Sequence, residues 1–141
     1  MAFKPGHGVH ILLDSVAGTP VNISAYSDAF TFPNPTDTVE VSVHGTNSKA
    51  FIPGLTGGGA PSMSGPLDVA LGTFVAALSA AHAAGSASST ITYSPGGSVA
   101  GQFKRSAEVY LTGFDVQSGV SGRVEYTVSL QVTGATTDST W

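Results

Sequence analysis

The sequence predicts a mainly β fold with one α-helix in a single domain, on three observations. First, apolar and polar residues alternate with period two in two places. Val39, Val41 and Val43 alternate with Thr38, Glu40, Ser42 and His44, and Val124, Tyr126, Val128, Leu130 and Val132 alternate with Glu125, Thr127, Ser129, Gln131 and Thr133. Alternation places one set on each face of a strand. Second, Leu67, Leu71, Phe74, Val75 and Leu78 recur at helical spacing and form one apolar stripe. Third, Gly and Pro clusters cut the rest into short segments. A length of 141 residues suits one domain.

Taken in order, residues 1–8 read as an irregular arm, because Pro5, Gly6 and Gly8 resist regular structure. Val9–Ser15 reads as a strand ended by Ala17-Gly18. Val21–Phe30 reads as a strand leading into a short helical turn, broken by Pro33-Asn34-Pro35. Asp37–Gly45 is a strand, with Lys49–Ile52 as its hairpin partner across Gly45-Thr46-Asn47. Residues 53–66 are Gly- and Pro-rich without periodicity and read as one long loop, a length usually either functional or disordered in a compact domain. The helix is expected over Leu67–Ala84, with Pro66 in its first turn and Gly85 as its stop. Its remaining face is Ala, Ser and Thr with almost no charge, which suits close packing against a neighbour. Ser88–Ser94, Arg105–Val116 and Arg123–Gly134 are strands, and Gln117–Gly122 pairs the last two as an antiparallel hairpin. Residues 135–141 read as a Thr/Ser-rich tail.

Charged residues make up 10% of the chain, against about 25% on average. A folded monomer needs surface charge to stay soluble, whereas interface cores are depleted of it. The deficit therefore points to a surface that meets other protein; a Ser/Thr-rich extracellular β domain is the alternative. Five Lys and Arg, scattered along a chain of net charge −4, argue against a nucleic-acid binder, which needs cations to neutralise phosphate. The absence of Cys removes disulfides, thiolate metal sites and Cys nucleophiles. The N-terminal apolar run is short and broken by Asp14, so neither a signal peptide nor a membrane span is expected, and the chain reads as soluble and made in a cytoplasm.

No motif carries chemistry. His7, His10, His44 and His82 lack ligand spacing, Gly57-Gly58-Gly59 lacks the Lys-Ser/Thr of a phosphate loop, and no Gly-x-Ser-x-Gly elbow occurs. The nine carboxylates form no acid–base pair, so no enzyme, metal or cofactor is expected.

Residues 93–134, YSPGGSVAGQFKRSAEVYLTGFDVQSGVSGRVEYTVSLQVTG, resemble the end of the major tail tube proteins of long-tailed (siphovirus) bacteriophages. NISAYSDAFTFP and DTVEVSVHGTNSKAFIPGL resemble that family's earlier strands, and the likeness covers roughly 20–134. The resemblance implies two packed antiparallel sheets flanked by a helix, as a sandwich or barrel. It implies hexameric rings stacked into a tube through which DNA is ejected. The implied partners are further copies of the chain, the tape measure protein, and tail terminator or distal tail proteins, in a virion, without membrane insertion. In that family the long loop and the terminal arms carry contacts between rings. Here those would be Leu55, Thr56, Gly57, Gly58, Gly59 and Met63 of the loop, with residues 1–8 and 135–141. A duct for DNA should be polar without gripping phosphate, so Glu125, Thr127, Ser129 and Gln131, joined by Glu108 or Asp115, are the lumen candidates; the outside of the tube or a subunit contact is the alternative for that face. Lys104, Arg105 and Arg123 would then form salt bridges between subunits. Two other readings stand beside this one. One is a secretion-system tube subunit of the same fold. The other is an Ig-like capsid-decoration or glycan-binding module using Tyr26, Phe30 and Phe32.

Overall fold

The computed structural model describes residues 8–45, 47–120 and 122–141. The expected arm at 1–8 and the turn residue Thr46 therefore fall wholly or largely outside the described residues. The strands are β1 (His10–Asp14), β2 (Pro20–Asn22), β3 (Ala29–Thr31), β4 (Thr36–Glu40), β5 (Phe51–Thr56), β6 (Ser62–Pro66), β7 (Ser89–Ser94), β8 (Phe103–Gln117) and β9 (Glu125–Thr140), with one helix, α1 (Val69–Ala83). They form two antiparallel sheets: a seven-stranded sheet in the order β2-β1-β7-β8-β9-β6-β3, and the separate β4–β5 hairpin.

The two edge strands of the large sheet, β2 and β3, are consecutive in the chain. A 3-10 turn at Ser24–Tyr26 joins them and touches both β1 and β6, so the sheet curls to bring its two edges within reach of that short segment. Hydrogen bonds and a ring contact tie the joining segment to each side of the sheet. Ile23 N–H donates to Ile11 O at 3.0 Å and Asp28 N–H to Ser64 O at 2.8 Å. Tyr126 O–H donates to Tyr26 O at 2.6 Å, and the Phe30 ring of β3 stacks on Tyr93 of β7 at 4.6 Å. Burial raises the Tyr126 hydroxyl pKa to about 12, so it remains a donor throughout the working pH range.

The curled sheet encloses one apolar cluster. Ile11, Leu13, Ile91 and Val109 meet Tyr126, Val128, Leu130 and Val132 there, the inward half of the β9 alternation. Leu71, Val75 and Leu78 of α1 are buried in the same cluster, with Phe74 and Leu67 half-buried against it. The helix starts later than expected. Pro66 ends β6 opposite Glu125 instead of opening a helical turn, and Asp68 caps the helix by accepting Ala70 N–H at 2.8 Å. Leu67 therefore packs from outside the helix. At the other end Gly85, at φ +88°, donates to His82 O while Ser86 N–H reaches Ala81 O, satisfying the last carbonyls.

The segment expected as one long loop, 53–66, is mostly strand: β5 runs through Thr56 and β6 starts at Ser62. Pro53 and Gly54 disguise β5, yet an edge strand tolerates Pro because its missing N–H faces no partner. In β6, Met63 and Gly65 point inward and Ser62 and Ser64 outward, an alternation hidden by a glycine in a core position. The expected strand 37–45 ends at Glu40. The expected tail is also strand. β9 turns at Gly134, φ +83°, and continues to Thr140 paired with Phe103–Ser106.

Charge closes that extension. Arg105 grips Asp138 bidentately, Nε–H to Oδ1 at 2.6 Å and Nη2–H to Oδ2 at 2.8 Å, and its Nη1–H reaches Phe32 O at 2.9 Å. The hydrogen bonds from Arg105 hold the Asp138 carboxyl below its usual range. A carboxyl with a lowered folded pKa stabilises the fold above its unfolded pKa and loses that contribution as pH falls. Arg105→Lys keeps the charge and loses the fork. We expect it to lower stability by about 1 kcal/mol at pH 7, the pair being partly exposed, and the difference from wild type to shrink below about pH 4. Urea denaturation at the two pH values checks both signs.

Candidate functional site: a polar sheet face and a projecting hairpin

The β8–β9 ribbon places all six lumen candidates on one exposed face. Reading outward-facing cross-strand pairs along it gives Glu108–Thr133, Tyr110–Gln131, Gly113–Ser129, Asp115–Thr127 and Gln117–Glu125. Glu108 and Asp115 are seven positions apart, so an unbroken strand would put them on opposite faces. A register shift between Leu111 and Gly113 reverses the parity. It turns Phe114 inward, its ring 6.4 Å from Tyr126, and Asp115 outward. Ser62 and Ser64 of β6 extend the face beside Ser129 and Thr127, and Thr90 of β7 extends it beside Glu108.

The side chains of this face are held in place. Glu108 accepts from the hydroxyls of Ser88 and Thr90. Gln131 Nε2–H donates to Gly58 O at 2.9 Å and Gly59 O at 3.2 Å, which ties the face to the β5–β6 connection. At one end Arg123 is committed to Asp28 and Glu125. At the other, Lys104 lies 4.4 Å from the centre of the Trp141 ring. Of the cations assigned by sequence to salt bridges between subunits, Arg105 pairs within the subunit with Asp138 of β9, Arg123 with Glu125 of β9 and with Asp28 before β3, and Lys104 lies against Trp141. Tyr110 is a member of this face that sequence reasoning missed; its period-two relation to Glu108 was the available signal.

The second surface is the β4–β5 hairpin. Every residue of both strands is exposed. Val39, Val41, Val43, Phe51, Ile52 and Leu55 are among the exposed large apolar residues, Leu55 at 84%. Val39 sits opposite Ile52, and Glu40 opposite Phe51. A two-stranded hairpin alone is marginal in water, and contiguous exposed apolar surface marks an interaction site. The loop candidates divide accordingly. Leu55 and Thr56 lie on the hairpin, and Gly57, Gly58 and Gly59 lie at its root. Met63 is 3% exposed in the core and cannot meet another molecule.

The residue pair most like catalytic machinery fails on protonation. His82 Nε2 lies 3.1 Å from Ser89 Oγ, the spacing of a nucleophile and its base. His82 Nδ1, however, accepts Leu111 N–H at 2.9 Å, so the neutral ring carries its proton on Nε2 and donates to the serine. Ser89 is therefore not activated, and it is buried. Among the described residues no group of three His, Cys, Asp or Glu could hold a metal ion. Of the aromatics offered for a glycan-binding module, Phe32 is buried and Tyr26 and Phe30 pack against the core.

No protein-family model and no curated protein matches this chain. Its fold is similar to that of solved tube proteins. A subunit from the tail of an empty gene transfer agent particle, refined with C6 symmetry, superposes with a TM-score of 0.76 at 16% identity over 97% of this chain and 99% of that one. The SPP1 tail tube protein superposes with a TM-score of 0.64 at 17% identity over 99% of this chain and 80% of that one. The sheath–tube complex of an extracellular contractile injection system contains a chain that superposes with a TM-score of 0.68 at 9% identity, covering 99% and 93%. At these identities the likeness establishes a shared fold: mainly β, two antiparallel sheets and one helix.

Proposed function

We propose that this chain is the tail tube subunit of a long-tailed phage or phage-like particle. Copies close into hexameric rings by head-to-tail contacts, the rings stack into a tube, and DNA passes through the lumen during ejection. The observation that carries this reading is the β8–β9 face. Glu108 and Asp115 sit there among Thr, Ser and Gln, while Glu125 shares Arg123 with Asp28, leaving that group net negative, and Lys104 lies against Trp141. Fixed carboxylates repel phosphate within about a Debye length, roughly 8–10 Å, so a wall of this kind contacts DNA without holding it. The hairpin supplies the apolar contact between copies. The tape measure protein and the tail terminator or distal tail proteins are the further partners, and the virion tail is the location. The likeness to an injection-system tube supports a second reading, a secretion tube whose cargo is protein.

Electron microscopy of the purified chain over a concentration series tests the reading. We expect hollow rings or tubes with a channel wide enough for duplex DNA. Tubes of wild type should not retain duplex at low salt, whereas tubes of the triple variant Glu108→Lys, Asp115→Lys, Glu125→Lys should. Compact single particles at every concentration would sink the proposal. Tubes whose DNA retention ignores the triple variant would move the lumen to another face.

A further inference from the structure

We infer that His82 is an acid-labile pin that fastens the C-terminal end of α1 to the edge of β8. The pin exists because β7 is shorter than β8. Ser89, the first residue of β7, pairs with Val109, so Leu111 lies two residues beyond the end of that pairing and no β7 residue accepts its N–H. His82 Nδ1, reaching from the last turn of α1, accepts it at 2.9 Å. Nε2–H in turn donates to Ser89 Oγ at 3.1 Å, and the edge of Tyr110 closes over the ring at a centroid separation of 5.4 Å. One imidazole thus joins the helix, the start of β7 and the edge of β8.

This arrangement needs a neutral ring. Protonation places a hydrogen on Nδ1, opposite the Leu111 N–H, so two donors face each other and a backbone group loses its only acceptor. The groups facing the ring offer little to compensate. Asp14 of β1 lines the same cavity, together with Leu78, Ala81 and Ser88. Glu108 of β8 is taken up by Ser88 and Thr90. No carboxylate of the described residues forms an ion pair with His82. The helix C-terminus favours a cation but supplies no acceptor for Leu111. Burial lowers the His82 pKa from 6.5. A group that binds its proton more weakly when folded contributes stability in full above its unfolded pKa and loses it as pH falls below about 6.5. The β8–β9 pairing does not depend on this contact, so acid should release the end of α1 from the sheet while the ribbon stays intact.

Hydrogen–deuterium exchange of the full chain at pH 7.5 and 5.5, corrected for intrinsic rates, tests the pin. In wild type, exchange in segments 78–90 and 105–112 should accelerate at the lower pH, by at most tenfold per pH unit, the limit for one proton. H82Q supplies an acceptor and a donor without titrating, and its exchange should be flat with pH. An equal acid response in H82Q, or none in wild type, overturns the inference. Should H82Q fail to fold, ¹⁵N imidazole spectra of wild type decide instead. Retention of the Nε2–H tautomer below pH 6.5 is expected; an Nδ1–H tautomer, or titration at or above 6.5, overturns it.

Discussion

The double substitution Val39→Asp, Ile52→Asp is expected to abolish ring and tube formation while leaving the subunit folded. Both side chains are about half exposed in the isolated chain, 52% and 50%, and they face each other across the hairpin. In the free subunit the change uncovers the half of each side chain already buried and sets two carboxylates opposite each other, so the hairpin should loosen by about 2 kcal/mol, while the core cluster, which holds neither residue, stays folded. In an assembly that covers the hairpin the arithmetic differs. Finishing the burial of two β-branched side chains is worth about 2–3 kcal/mol, and burying a carboxylate without a partner adds a further penalty. A loss of about 3 kcal/mol per contact weakens association roughly 100-fold. Sedimentation velocity across a concentration series, with circular dichroism as the control for folding, reads both quantities. Unchanged tubes would remove the hairpin from the interface.

That prediction concerns a region where the sequence misleads, and the reason is physical. Alternation identifies core residues only where one face of a strand is buried and the other wet; the alternating Val39, Val41 and Val43 are exposed in the subunit. β9 meets this condition from Tyr126 to Val132, and its inward and outward sets follow from the sequence alone. The stripe of α1 is legible for the same reason, because Leu71, Val75 and Leu78 meet one core. β5 meets it nowhere, since both its faces are exposed, and Pro53 and Gly54 read as loop. β6 is periodic, but one of its inward positions is glycine. The polar face is half legible. Glu125, Thr127, Ser129 and Gln131 share parity and fall together from pattern alone. Glu108 and Asp115 join them only through the register shift at Leu111–Gly113, for which the sequence offers no signal except Gly113 itself. The engagement of Arg105 with Asp138, 33 positions away, and of Arg123 with Asp28, 95 positions away, depends on topology and is invisible to local reading.

Gly65 shows how much of the fold's closure depends on one missing methyl group. It lies in β6 opposite Tyr126, where the strand passes the 3-10 turn that joins the sheet's two edges. A Cβ built there would lie well inside contact distance of the Tyr26 carbonyl oxygen and 3.1 Å from the Asp28 nitrogen. Both obstacles are backbone and cannot turn aside. They also belong to the seam: Tyr26 O accepts the Tyr126 hydroxyl and Asp28 N–H donates to Ser64 O. Gly65→Ala must therefore push the turn away from β6 and stretch both bonds. Overpacking of this kind costs about 3 kcal/mol, a large share of the roughly 5–15 kcal/mol that holds a domain together, and should lower Tm by about 10 °C. The same substitution at Gly72 is the control. That glycine lies inside α1, and its added Cβ would meet Leu67 Cδ1 at an ordinary 3.7 Å. Gly72→Ala should raise stability by about 0.5–1 kcal/mol, because alanine has less freedom to lose in a helix. Thermal denaturation of the two variants should give shifts of opposite sign. A Gly65→Ala protein as stable as wild type would mean that the edges of the sheet do not close against the Ser24–Tyr26 turn.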